Sequence, residues 1–93
     1  MPYALKFATT AFEDIQALTA TIAPGQQERA VDAIETICRD FADRQRLSSG
    51  RWAVPSFPIH FKIDETWYYW AATYRITEDE TTVVLTHVFR VPL

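Results

Sequence analysis

Glycine is scarce, with only Gly25 and Gly50 in a chain of 93 residues. That leaves no glycine-rich loop to cradle a phosphate. The single cysteine, Cys38, excludes an internal disulfide and any cluster of thiolate ligands. No apolar run reaches the roughly 18 residues that suggest a membrane-spanning helix. Met1-Pro2-Tyr3 does not lead from a basic segment into an apolar one, so no signal peptide is legible and the expected location is the cytoplasm. Cationic charge is also in deficit: nine Lys and Arg against twelve Asp and Glu give a net charge of −3. A nucleic-acid binder draws much of its affinity from phosphate neutralisation, so this balance is a poor start for one. Two histidines, His60 and His87, with scattered carboxylates make no recognisable metal spacing.

What is present points to one α+β domain covering residues 1–93. Hydrophobic residues make up 48% of the chain and aromatics 14%, most of the rings lying after Trp52. Tyr3 to Phe7 alternates as a strand. Thr10-Ala11-Phe12-Glu13 reads as a capping box opening a helix whose stripe is Ala11, Ile15, Leu18 and Ile22. Pro24-Gly25 should stop it. A second helix is expected from about Gln26 to Asp43 with Val31, Ile34, Cys38 and Phe41 inward, packed antiparallel on the first. On that stripe Cys38 is expected to be a buried, inert thiol.

After an irregular stretch at 44–56, three strands should form an antiparallel sheet, giving the order β-α-α-β-β-β with the helical hairpin on one sheet face. Phe57, Ile59, Phe61 and Ile63 form a period-two inner set. Tyr68, Trp70, Ala72, Tyr74 and Ile76 follow on the middle strand. Val83, Leu85, His87, Phe89 and Val91 follow on the last. The outer face then carries His60, Lys62, Trp67, Tyr69, Arg75, Thr86, Val88 and Arg90, and a single β-bulge would swap part of this set. Trp67-Tyr68-Tyr69-Trp70 places two rings on each face, so the outer face is cationic and aromatic, a plausible partner or ligand surface. The plainer reading is cross-strand aromatic pairing that only stabilises the sheet.

Taken in order, these elements resemble the RelE/ParE superfamily of toxins from bacterial type II toxin–antitoxin modules. The resemblance runs over Tyr3-Ala4-Leu5-Lys6-Phe7-Ala8-Thr9-Thr10-Ala11-Phe12-Glu13-Asp14-Ile15, Ile59-His60-Phe61-Lys62-Ile63, Tyr74-Arg75-Ile76 with Thr82-Val83-Val84-Leu85, and Arg90. It implies a toxin neutralised by a cognate antitoxin, inhibiting growth through ribosome-bound mRNA or DNA gyrase. The RelE-type cleavage so implied uses no metal or cofactor. It needs a base for the 2′-hydroxyl, cations for the phosphate and a donor to the leaving oxygen. By position, His60, Lys62 and Arg90 are the candidate catalytic residues, with Arg51, Trp67, Tyr69, Arg75 and Thr86 as substrate or partner contacts. Arg44, Arg46 and Arg51 otherwise read as a solvated basic loop.

The chain departs from the family pattern at three places. The family's middle-strand arginine falls near Ala71, the histidine before its late arginine is Phe89, and the chain ends at Pro92-Leu93 without the usual terminal tyrosine or histidine. These departures weigh against an efficient ribonuclease and for a gyrase-directed, divergent or attenuated toxin. A catalytically silent interaction module is the alternative.

Overall fold

Two helices cover one face of a four-stranded sheet in the computed structural model, which describes residues 3–44, 56–79 and 81–92. The elements are β1 (Ala4–Phe7), α1 (Thr9–Thr19), α2 (Gln27–Arg44), β2 (Ser56–Ile63), β3 (Thr66–Ile76) and β4 (Thr82–Arg90), with a 3-10 turn at Pro24–Gln26. The strand order is β1-β4-β3-β2. β2, β3 and β4 pair antiparallel as their short turns require, but β1 lies parallel to β4, so the sheet is mixed rather than wholly antiparallel. The two helices form the crossover that a parallel pairing of β1 with a later strand demands. Among the described residues no helix is long and apolar enough to cross a membrane.

The helix boundaries differ slightly from expectation, for physical reasons. The expected capping box does not form: α1 begins at Thr9, its N-cap is Ala8, and the Thr10 hydroxyl instead donates to the Thr86 carbonyl at 2.6 Å. α1 ends at Thr19, five residues before Pro24, where the buried Thr19 hydroxyl bonds back to the Ile15 carbonyl at 2.8 Å. Pro24 then starts the 3-10 turn rather than ending the helix. The expected stripe stays inward, with Ala11 and Ile15 buried, Leu18 packed against them and Ile22 buried beyond the end of the helix.

In α2 the buried stripe is Ala30, Ile34, Cys38 and Ala42, a strict spacing of four. Val31 is exposed, and Phe41 lies at the stripe's margin, where it stacks on Phe57 with ring centroids 3.9 Å apart. Glu28 in the first turn and Arg44 in the last complement the helix dipole. Small alanines at the contact let α2 approach β2, whose inward residues Phe57, Ile59, Phe61 and Ile63 are all buried. Tyr74 closes one inner aromatic cluster against Phe41 and Phe57, and Phe61, Tyr68 and Trp70 form a second. The expected inner set of β3 is therefore correct.

That of β4 is only half correct. Tyr74 faces Leu85 across the ladder, yet its neighbour Thr73 faces His87, leaving Thr86 as an extra residue. This bulge offsets the alternation. Val83 and Leu85 point into the core before it, and Val88 does so after it, opposite the buried Ala72. His87 and Phe89 consequently leave the core face to which alternation assigned them, and Val88 leaves the outer one. Arg90 moves as well: it stands opposite the buried Trp70, so its side chain leaves on the helix face, where its guanidinium meets the Thr21 hydroxyl at 3.5 Å.

Candidate functional site

The outer sheet face is built in rows that the strand register fixes, since residues directly opposite share a face. Nearest the β2–β3 turn, Lys62 stands opposite Trp67, and the next row is His60 opposite Tyr69. The middle row is Pro58, Ala71 and Phe89, followed by Ser56, Thr73 and His87. Beyond the bulge come Arg75, Val84 and Lys6. Thus the face has an aromatic end and a polar, cationic end, about 20–27 Å apart along the strands at about 3.3 Å per residue.

At the aromatic end Trp67 is 53% exposed, too open for a core ring. It lies roughly parallel to Tyr69 with centroids 6.1 Å apart, and His60 meets Tyr69 edge-on at 5.0 Å. The Lys62 ammonium sits 5.9 Å from the centre of the Trp67 ring, within cation–π range. The turn carrying this end is held from below. Asp64, at φ 54°, accepts hydrogen bonds from Arg29 at 3.1 and 3.3 Å and from Gln26 at 2.6 Å. The Arg29 hydrogen bonds and charge, assisted by Gln26, hold its carboxyl below the usual carboxylate range.

At the other end the Thr73 and Thr86 hydroxyls are 2.7 Å apart. His87, with its side chain 61% exposed, places Nδ1 3.3 Å from the Asp14 carboxylate. The same Asp14 oxygen accepts the Val88 amide at 3.0 Å. α1 and the turn after it thereby take over the edge of β4 that β1 leaves uncovered after Leu85, through Thr10, Asp14 and Thr21 in turn.

Among the described residues, none in a strand is an aspartate or a glutamate. The described acids lie in the helices and turns, with Asp32, Glu35, Asp40 and Asp43 on the exposed side of α2, so the two sides of the molecule differ in charge. Its net charge conceals a sheet whose strand charges are all positive.

Of the sequence candidates, the fold brings His60, Lys62, Trp67 and Tyr69 together and puts Arg75 and Thr86 at the opposite end of the same face. Arg90 does not join them. Arg44 ends α2, paired with Asp40 at 3.3 Å. Arg51, like Arg46, lies outside the described residues. Sequence reasoning missed Lys6, His87 and Asp14. Lys6 was legible as the polar partner of an alternating strand, whereas nothing local in the sequence signals the Asp14–His87 contact between residues 73 positions apart.

No family model matches the chain, and no curated protein matches it in sequence. Solved structures do match. The chain is similar to the free Escherichia coli toxin RelE, in a form with two arginines changed to alanine, at a TM-score of 0.57 and 13% identity over 97% of this chain and 84% of that one. It is also similar to the RelBE2 toxin–antitoxin complex of Mycobacterium tuberculosis, at a TM-score of 0.51 and 22% identity over 98% of this chain and 93% of that one. The chain has a RelE-like fold.

Proposed function

We propose that the chain is the toxin component of a toxin–antitoxin module, held by a cognate antitoxin and, when free, acting on RNA in translation through its outer sheet face. The carrying observation is the composition of that face: Lys6, Lys62, Arg75, His60 and His87 with Trp67, Tyr69 and Phe89, and no strand carboxylate, in a chain of net charge −3. Cations neutralise phosphate, and exposed rings stack on unpaired bases, the combination that single-stranded nucleic acid requires. The fold adds support, because its structural neighbours are a toxin and a toxin–antitoxin complex. Exposed apolar residues on the helices, Phe12 and Val31, offer an antitoxin further places to hold.

Under this reading Lys62, His60, Trp67, Tyr69, Arg75 and Thr86 contact the RNA, and Arg90 braces the end of β4 from the other side. A gyrase-directed toxin would use the same face for a protein target. The apolar row Pro58, Ala71 and Phe89 across the middle of the face favours a second reading, a catalytically silent interaction module. Inducing the chain alone in a bacterial host separates these. Arrest with cleavage of ribosome-bound mRNA supports the RNA reading, and arrest with loss of supercoiling supports gyrase. Normal growth in the presence of soluble folded chain leaves the silent module. Lys62→Ala combined with Arg75→Ala should relieve arrest, whereas Arg90→Ala should not; the reverse pattern would move the site to the helix side.

A further inference from the structure

We infer that His87, oriented by Asp14, is the general base of the outer face; this assignment rests on the RNA reading above. Asp14 is fixed before His87 is considered. It follows the buried Ala11 and precedes the buried Ile15 on α1, and its Oδ2 is tied to the β4 backbone by the Val88 amide at 3.0 Å. The imidazole Nδ1 lies 3.3 Å from that same oxygen. A carboxylate at Nδ1 selects the tautomer with the proton there, leaving the Nε2 lone pair free. The ring is open to solvent and belongs to the outer-face row of Thr73.

Its surroundings suit a phosphodiester. Arg75 is one row away, about 7 Å along β3, with Lys6 in the same row beyond Val84. The Thr73–Thr86 hydroxyl pair lies between. In the other direction, past Phe89, are the rings on which flanking bases would stack. The charged groups about His87 are Asp14 and the neighbouring Glu13 from α1, Arg75 from β3 and Lys6 from β1; Arg90 leaves on the opposite face.

The step balances without an oxidant or a metal. Nε2 takes the proton of a ribose 2′-hydroxyl, and the oxygen attacks the adjacent phosphorus. The bond from phosphorus to the 5′ oxygen breaks, its electron pair leaving with that oxygen, which takes a proton from water. The imidazolium returns its proton to the hydroxide so formed. The products are a 2′,3′-cyclic phosphate and a 5′-hydroxyl. His87 is the catalytic residue here, and Asp14 a positioning residue.

The test uses the purified full chain and ribosomes programmed with a defined mRNA, with cleavage followed by primer extension across a range of pH. His87→Gln should cleave at least about 100-fold more slowly than the parent chain, the lower end for loss of a general base, with an unchanged melting temperature. His87→Ala should regain activity in added imidazole. The parent rate should fall on the acid side of its profile, as a base that must be unprotonated to act requires. That limb should be absent in His87→Gln, and Asp14→Asn, which leaves the imidazole unaligned, should lower kcat without raising KM. A His87→Gln rate within about threefold of the parent, or an unchanged acid limb, overturns the base assignment and leaves the RNA reading standing. No cleavage by the parent chain overturns both.

Discussion

Replacing Asp14 by alanine tests how α1 completes the sheet. β1 covers β4 only from Thr82 to Leu85, and from Thr86 onward that edge has side chains of α1 and its following turn as neighbours. Val88 is buried, so its amide is sheltered from solvent and depends on the Asp14 oxygen at 3.0 Å. A hydrogen bond to a charged acceptor contributes about 1.5–3 kcal/mol. The exposed contact with His87 adds on the order of 0–1 kcal/mol. Partial exposure of Asp14 brings the expected loss to about 2 kcal/mol, at the centre of the range for a charged partner. In a domain of this size that lowers Tm by roughly 8–16 °C. Asp14→Asn keeps a carbonyl acceptor for the amide and should lose about 1 kcal/mol or less. Urea unfolding gives the difference, and hydrogen exchange locates it, the Val88 amide exchanging faster in Asp14→Ala than in Asp14→Asn. A loss under about 0.5 kcal/mol, the usual scale of a surface change, with Val88 still protected, would refute the edge-capping account.

Three further outcomes follow from the core and the turns. Ile34→Ala should cost about 2–5 kcal/mol by cavity formation, a large part of the roughly 5–14 kcal/mol expected for 93 residues. Val31→Ala should stay within about 0.5 kcal/mol because that side chain is already in solvent; equal losses in urea would refute the spacing-of-four stripe. Asp64, whose pKa is lowered by the Arg29 hydrogen bonds and charge, contributes stability above its unfolded value of about 3.9 and loses it as pH falls through the lower folded value. The stability gap between the parent chain and Asp64→Asn should therefore close on acidification through that range, and a gap constant from neutral pH to pH 2 would refute the linkage. Burial, with a smaller contribution from Glu35, pushes the Cys38 thiol up to about 12, so a thiol reagent at neutral pH should label it only at the rate of unfolding.

The sequence made the helices and two of the three long strands legible because their burial is periodic and uninterrupted. Phe57 to Ile63 alternates without exception, and the Trp67–Trp70 run splits its rings between the faces as alternation demands. The α2 stripe was legible to within one position. Val31 competed with Ala30 for the inner place, and hydrophobicity chose the larger residue where close packing on β2 chose the smaller. The capping box failed for a tertiary reason: the Thr10 hydroxyl is worth more on the Thr86 carbonyl, an edge group with no strand partner, than on its own helix.

The bulge at Thr86 is the decisive case, because one inserted residue changes the chemistry of both faces. Without it, His87 and Phe89 would follow Leu85 into the core and Val88 would be the exposed residue. With it, an imidazole reaches a carboxylate from a helix 73 residues away in sequence, and an arginine expected on the outer face goes to the opposite one. No propensity distinguishes Thr86 from a regular strand residue, since threonine favours strands either way. What distinguishes it is that Val83 and Leu85 on one side and Val88 on the other are the apolar residues that must be buried, and only an offset satisfies all of them. Ala71 and Phe89 thus share the middle row of the outer face, next to the row that holds His87. The net charge misleads for a related reason: aspartate and glutamate are poor strand formers and collect in helices and turns. A chain of net charge −3 can thus carry a sheet face on which its described strands place no negative charge.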